Sequence, residues 1–205
     1  APPYQLPEGI AIDLRASGAT VDPTELTPAG FFHRPEPFPN TNDAVDNDDA
    51  IVIMFSPEGA ISRLSMNGAR QNDFQNLTNN EPDDIFNGEV VSNIYLLVGP
   101  RENIPAPPAT TAQDVTLDPN AMSNAADGQL AEAYATVNWL NPEARWVVIG
   151  AQSGRVVSTE NAFVDLRSWS NGNHPYQSAS PVQRRAWQIF GAREFAREMT
   201  QSGGG

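Results

Sequence analysis

The sequence predicts an α+β fold, mainly antiparallel β with β-hairpins and long loops, closed by a C-terminal α-helix. Three observations predict it. Two apolar runs are each followed by a tight-turn signature and a returning strand, at 51–66 and 145–158. The stretch from Ser180 to Gln201 carries helical spacing behind an N-cap serine and a first-turn proline. Across the whole chain, 18 prolines and 15 glycines in 205 residues demand many turns and irregular connections. Strongly apolar strands set this composition apart from that of a disordered chain, and a chain of this length can bury a real core as one domain over 1–205.

The elements follow in order. Residues 8–15 alternate, with Ile10, Ile12 and Leu14 on one side and Ala11, Asp13 and Arg15 on the other, the pattern of a half-buried strand. Residues 22–49 are rich in proline and acids and have no periodicity, so they read as a long loop. Ile51 to Phe55 is a near-continuous apolar strand. Ser56-Pro57-Glu58-Gly59 places Pro second and Gly fourth, as a type I turn prefers, and Ala60 to Met66 alternates back, so 50–66 is a hairpin. Residues 69–88 are a polar, Asn-rich loop, Val90 to Gly99 a buried strand, and 100–128 a Pro-rich loop. A short helix is expected over 124–140, from Leu130, Ala133, Tyr134, Val137 and Leu140, stopped by Asn141-Pro142. Arg145 to Ala151 is a strand, Gln152-Ser153-Gly154 turns it, and Arg155 to Ser158 returns. Residues 159–179 are irregular, Val182 to Gln201 is the longest helix, and 202–205 is a flexible Gly-rich tail.

Composition excludes whole classes of chemistry. All 12 cations are arginine and there is no cysteine. Without lysine there is no Walker-type phosphate loop and no Schiff base. Without cysteine there is no disulfide, thiolate nucleophile or cysteine-based metal centre. A formal charge of -13 argues against nucleic acid and against a polybasic membrane-surface module. Residues 180–205 hold four arginines and two glutamates, so the acidity belongs to the β portion and its loops. No apolar run approaches the roughly 20 residues that cross a bilayer.

Asp43, Asp46, Asp48 and Asp49 offer oxygens for calcium, but not at EF-hand spacing, and a solvated acidic loop before a strand is the plainer reading. His33 and His174 sit beside prolines far apart in sequence and read as surface residues. Ser153 stands in a turn and one place late for a nucleophile elbow. Asp83-Asp84 and scattered glutamates leave an acid-pair hydrolase as an alternative. Asn76-Leu77-Thr78 is a lone glycosylation sequon. In the last helix Val182, Ala186, Ile189, Phe190, Phe195 and Met199 form an apolar face, while Arg184, Arg185, Arg193 and Arg197 are open to an acidic neighbour, with Trp187 on either face. No catalytic, cofactor-binding or metal-binding residue is assigned.

Five blocks in order carry a resemblance. Leu6-Pro7-Glu8-Gly9-Ile10-Ala11-Ile12-Asp13-Leu14-Arg15-Ala16-Ser17-Gly18 is the first, and Ile53-Met54-Phe55-Ser56-Pro57-Glu58-Gly59 the second. Ile94 to Gly99 with Arg101-Glu102 is the third. Asn138-Trp139-Leu140-Asn141-Pro142, Trp146 to Gly150, Ser153-Gly154 and Thr159-Glu160-Asn161 make the fourth, and Ala192 to Glu198 the fifth. Together they resemble the globular head of prepilin-type proteins of the GspH/FimT pseudopilin class, in the version expanded in planctomycete bacteria. The resemblance implies a non-enzymatic, extracytoplasmic subunit of a type IV pilus or type II secretion-like filament, without cofactor. Its implied partners are other pilin or pseudopilin subunits or secretion-system proteins. The family's leader and long hydrophobic helix do not occur in this sequence, so the resemblance implies that Ala1 follows them and that inner-membrane anchoring belongs to that helix. The alternative is a free-standing extracytoplasmic recognition domain that binds glycan or protein through its loops.

Overall fold

The computed structural model describes residues 6–19, 51–66, 93–104, 134–162 and 181–202. Within these the chain forms β1 (Ile10–Ile12), β2 (Ile51–Phe55), β3 (Ile61–Met66), β4 (Ile94–Pro100), β5 (Arg145–Ile149), β6 (Val156–Glu160) and α1 (Pro181–Ser202), with a 3-10 turn at Arg101–Asn103. One sheet has the order β1-β4-β5-β6 with antiparallel neighbours, and β2-β3 is a separate antiparallel ribbon. The expected class, α+β and mainly antiparallel with a C-terminal helix, is the observed one.

The core follows from register. Tyr95 lies opposite Val148 and Leu97 opposite Trp146, so these four side chains share one face of the sheet. Tyr95 and Trp146 also meet edge to face, with centroids 6.4 Å apart at 83°. Onto this face pack Ala186, Ile189, Phe190, Ala192 and Ala196 of α1 and Tyr134, Val137, Trp139, Leu140 and Ala144 of the segment before β5. Burying Ile189, Phe190 or Leu97 contributes about 1.5–3 kcal/mol each. The alanines let the helix approach the sheet closely.

Several elements differ from the sequence reading. The alternation in 8–15 is present, but the polar side is inward: Asp13 and Arg15 are buried while Ile12 and Leu14 are partly exposed. The reason is that β1 ends at Ile12 and the chain turns there. The Asp13 carbonyl accepts from Ala16 N (3.2 Å), Ser17 N (2.9 Å) and Ser17 Oγ (2.7 Å). Gly18 then rejoins Tyr95 of β4 in an isolated antiparallel bridge. The excursion leaves the Leu97 N–H without its ordinary strand partner, and Ser17 Oγ accepts from it at 2.9 Å.

The helix expected over 124–140 lies outside the described residues up to 133; Tyr134 is helical and 135–140 are turns and bends. β6 runs on to Glu160, past the expected end at Ser158. In α1 the buried side includes Arg185, Gln188 and Arg193, whereas Met199 is half-exposed and Trp187 packs against the core from a partly buried position. The apolar face of the helix is therefore narrower than its sequence suggests, and its inward charges need partners.

Candidate functional site

Two features organise the molecule: a buried polar junction and an outward ribbon. The junction starts at the β1 corner. Asp13 Oδ1 accepts from Arg15 N at 3.1 Å and Asp13 Oδ2 from Asn138 Nδ2 at 3.4 Å. Asn138 Nδ2 also donates to the Pro100 carbonyl at 3.2 Å. Asn161, at the end of β6, donates to the carbonyls of Asn138 (3.1 Å) and Asn141 (3.0 Å) and accepts from Trp146 Nε1 at 2.8 Å. Arg193 reaches from α1 to the Ala16 carbonyl, which accepts from its Nε at 3.0 Å and from its Nη2. Its guanidinium also lies 5.5 Å from the Phe190 ring centre. Trp139 Nε1 donates to Gln188 Oε1 at 3.0 Å, a second tie to the helix.

Electrostatics at the junction follow from burial. Desolvation pushes the Asp13 carboxyl above its ordinary range, opposed by donation from Asn138, by backbone N–H groups and by the Arg15 charge. Burial pulls the Arg193 guanidinium down to about 9, which leaves it charged at neutral pH. Burial likewise pushes the Tyr95 phenol up, opposed by Asn93 and by the charges of Arg197 and Arg193. The small residues here are required by space. A Cβ on Gly99 would meet Asn138 Oδ1 and lie 2.8 Å from its Cγ.

The ribbon is the surface feature. β2 and β3 pair with each other and, among the described residues, with no other strand. Phe55 lies opposite Ile61 and Met54 opposite Arg63, so Ser62 is an extra residue, and its hydroxyl donates to the Met54 carbonyl at 3.2 Å. The turn closes with Gly59 N donating to Ser56 O at 2.9 Å, and Gly59 takes φ 91°. The carboxylate of Glu58 is held below its ordinary range by its own backbone N–H and by Ser56. Val52, Met54 and Phe55 are 47%, 47% and 48% exposed, and Val156 on edge strand β6 is 59% exposed. The near-continuous apolar strand is thus an outer one. The alternation with serine and arginine in β3 is the sequence signal for that.

The ribbon touches the body through two tight turns. Ile61 N donates to the Ala151 carbonyl at 2.8 Å. Gly154, at φ 60°, lies so close that a Cβ there would fall on the Gly59 carbonyl. Gly154→Ala is therefore expected to cost about 1–2 kcal/mol from the left-handed backbone alone, and to loosen this seat as well. The check is amide hydrogen exchange: Ile61 should lose protection while Leu97 keeps it, and an unchanged Ile61 would contradict the contact.

Of the sequence candidates, Asp43, Asp46, Asp48, Asp49, His33, His174, Asp83, Asp84 and Asn76 all fall outside the described residues. Ser153 lies in the β5–β6 turn, where its Oγ accepts from Arg155 N at 3.2 Å, and the turn is closed by Gly150 N to Arg155 O at 2.9 Å. Arg184 is only partly exposed, Arg197 pairs with Glu194 at 3.2 Å, and Arg185 and Arg193 are buried, so half of the helix arginines serve the interior. Among the described residues no group of three or more His, Cys, Asp or Glu could hold a metal, and no helix is long and apolar enough to cross a membrane. No protein-family model matches the chain, and no curated protein and no solved structure matches it either.

Proposed function

We propose that the chain is the outward head of a prepilin-class filament subunit, of a type IV pilus or type II secretion-like assembly, acting by contact and not by covalent chemistry. One observation carries this reading. Residues from all five blocks of the resemblance serve the same scaffold. Asp13, Asn138, Trp146, Asn161 and Arg193 bond to one another or to nearby backbone in the interior, Ser17 Oγ accepts from the Leu97 N–H of the third block, and Gly154 seats the Phe55–Gly59 turn against the body. The shared residues thus build a rigid support, and what is presented outward is the ribbon with Val52, Met54 and Phe55. Other subunits of the filament or secretion-system proteins are the partners, outside the cytoplasm.

The test is the coding sequence upstream of Ala1. A short basic leader followed by a glutamate-bearing run of about 20 apolar residues is the expected result. A cleavable secretory signal directly before Ala1 would overturn it and leave a free-standing recognition domain.

A further inference from the structure

The junction contains two buried groups that do not match each other as they stand. Asp13 is fully buried, and its carboxylate is held by the backbone N–H groups of Arg15 and Ala16 and by Asn138 Nδ2, the last long at 3.4 Å. Asn138 is also fully buried, and its Oδ1 has no hydrogen-bond partner. A buried carboxylate without an ion pair is costly, and so is a buried amide oxygen without a donor. One proton placed between them would remove the charge and give the amide oxygen a donor, in exchange for the two bonds that Asn138 Nδ2 now makes.

We propose that Asp13 and Asn138 form a one-proton latch. On acidification Asp13 Oδ2 takes a proton from water, the bond from Asn138 Nδ2 to Asp13 Oδ2 breaks, and the Asn138 amide turns about its last side-chain bond. The new Asp13 O–H then donates to Asn138 Oδ1. The contact of Nδ2 with the Pro100 carbonyl is exchanged for it. The groups around the pair leave the proton as the deciding charge. Arg15 on the same corner weakly favours the carboxylate, and burial outweighs it. Leu97, Gly99 and Pro100 of β4 and Asn138 of the 134–144 segment bring no charge. Arg193 of α1 is engaged on the Ala16 carbonyl.

The sign follows from the direction of the shift. A carboxyl whose folded form holds its proton more tightly adds stability that is complete below the unfolded value of about 3.9 and is lost as pH rises through the folded one. The latch therefore tightens the β1 corner in acid.

The experiment is NMR on the whole chain from about pH 3 to 8, following the Asp13 carboxyl carbon and the Asn138 side-chain amide. Both should titrate together, with a midpoint clearly above the ordinary aspartate value. An Asp13 midpoint at or below about 4 would overturn the latch. So would Asn138 resonances that stay still while Asp13 titrates. Asp13→Asn places a permanent donor beside Asn138 and should pin its amide signals at their acid positions throughout; a persisting pH dependence at Asn138 would count against the proposal. The wild-type titration decides the matter alone if that variant does not fold.

Discussion

Arg193→Ala is expected to destabilise the protein by about 3–5 kcal/mol, a fall in Tm of roughly 10 °C for a chain of this size. The Arg193 guanidinium is fully buried between α1 and the β1 corner, with two of its nitrogens on the Ala16 carbonyl and its face near Phe190. Truncation removes that link and leaves a cavity as well as an unsatisfied carbonyl. Lysine keeps the charge but not the fork, so Arg193→Lys should recover only a minor part of the loss. Chemical denaturation of the three proteins checks this, and an alanine variant within about 1 kcal/mol of wild type would contradict the role given to Arg193.

Asn161→Ala should cost about 1–3 kcal/mol, the cost of one buried donor left unpaired. Trp146 Nε1 loses its acceptor, while the carbonyls of Asn138 and Asn141 each lose one donor and keep the backbone N–H of Asn141 (3.2 Å) and of Ala144 (3.1 Å). Asn161→Asp separates the contributions, since the carboxylate still accepts from Trp146 but no longer donates to either carbonyl. It should remain destabilised at neutral pH, because a buried carboxylate would then face two carbonyl oxygens. Trp146 reports directly, because its indole is fully buried, so its fluorescence should shift to the red in the alanine variant if the pocket opens.

What the sequence made legible was set by how local the cause is. The Ser56–Gly59 and Gly150–Gly154 turns are written in four or five adjacent residues, and both hairpins were readable for that reason. The Pro181 start of α1 was readable in the same way. The inversion at Asp13 and Arg15 was not, because alternation says only that two faces differ. Which face goes inward was decided by a turn at Ile12 and by Asn138, 125 positions away. The inward arginines of α1 were illegible for a related reason. Arg193 has its partner carbonyl at Ala16, 177 positions upstream, and no helical pattern encodes it. The outward ribbon was half legible. The turn and the returning strand follow from adjacent residues, but the apolar run of β2 does not tell an outer strand from a buried one, and the seat at Gly154 holds the pair beside the main sheet.

The buried polar residues of the first, fourth and fifth blocks act as one structural unit, and a double-mutant cycle between Arg193→Ala and Asn161→Ala tests that most directly. The two side chains do not touch in any bond described above; they are joined through Ala16, Asp13 and Asn138. If the junction is one unit, the second truncation acts on a corner already loosened by the first. The combined loss should then fall short of the sum by about 1 kcal/mol or more. Losses that add to within about 0.3 kcal/mol would show independent sites and contradict a shared scaffold.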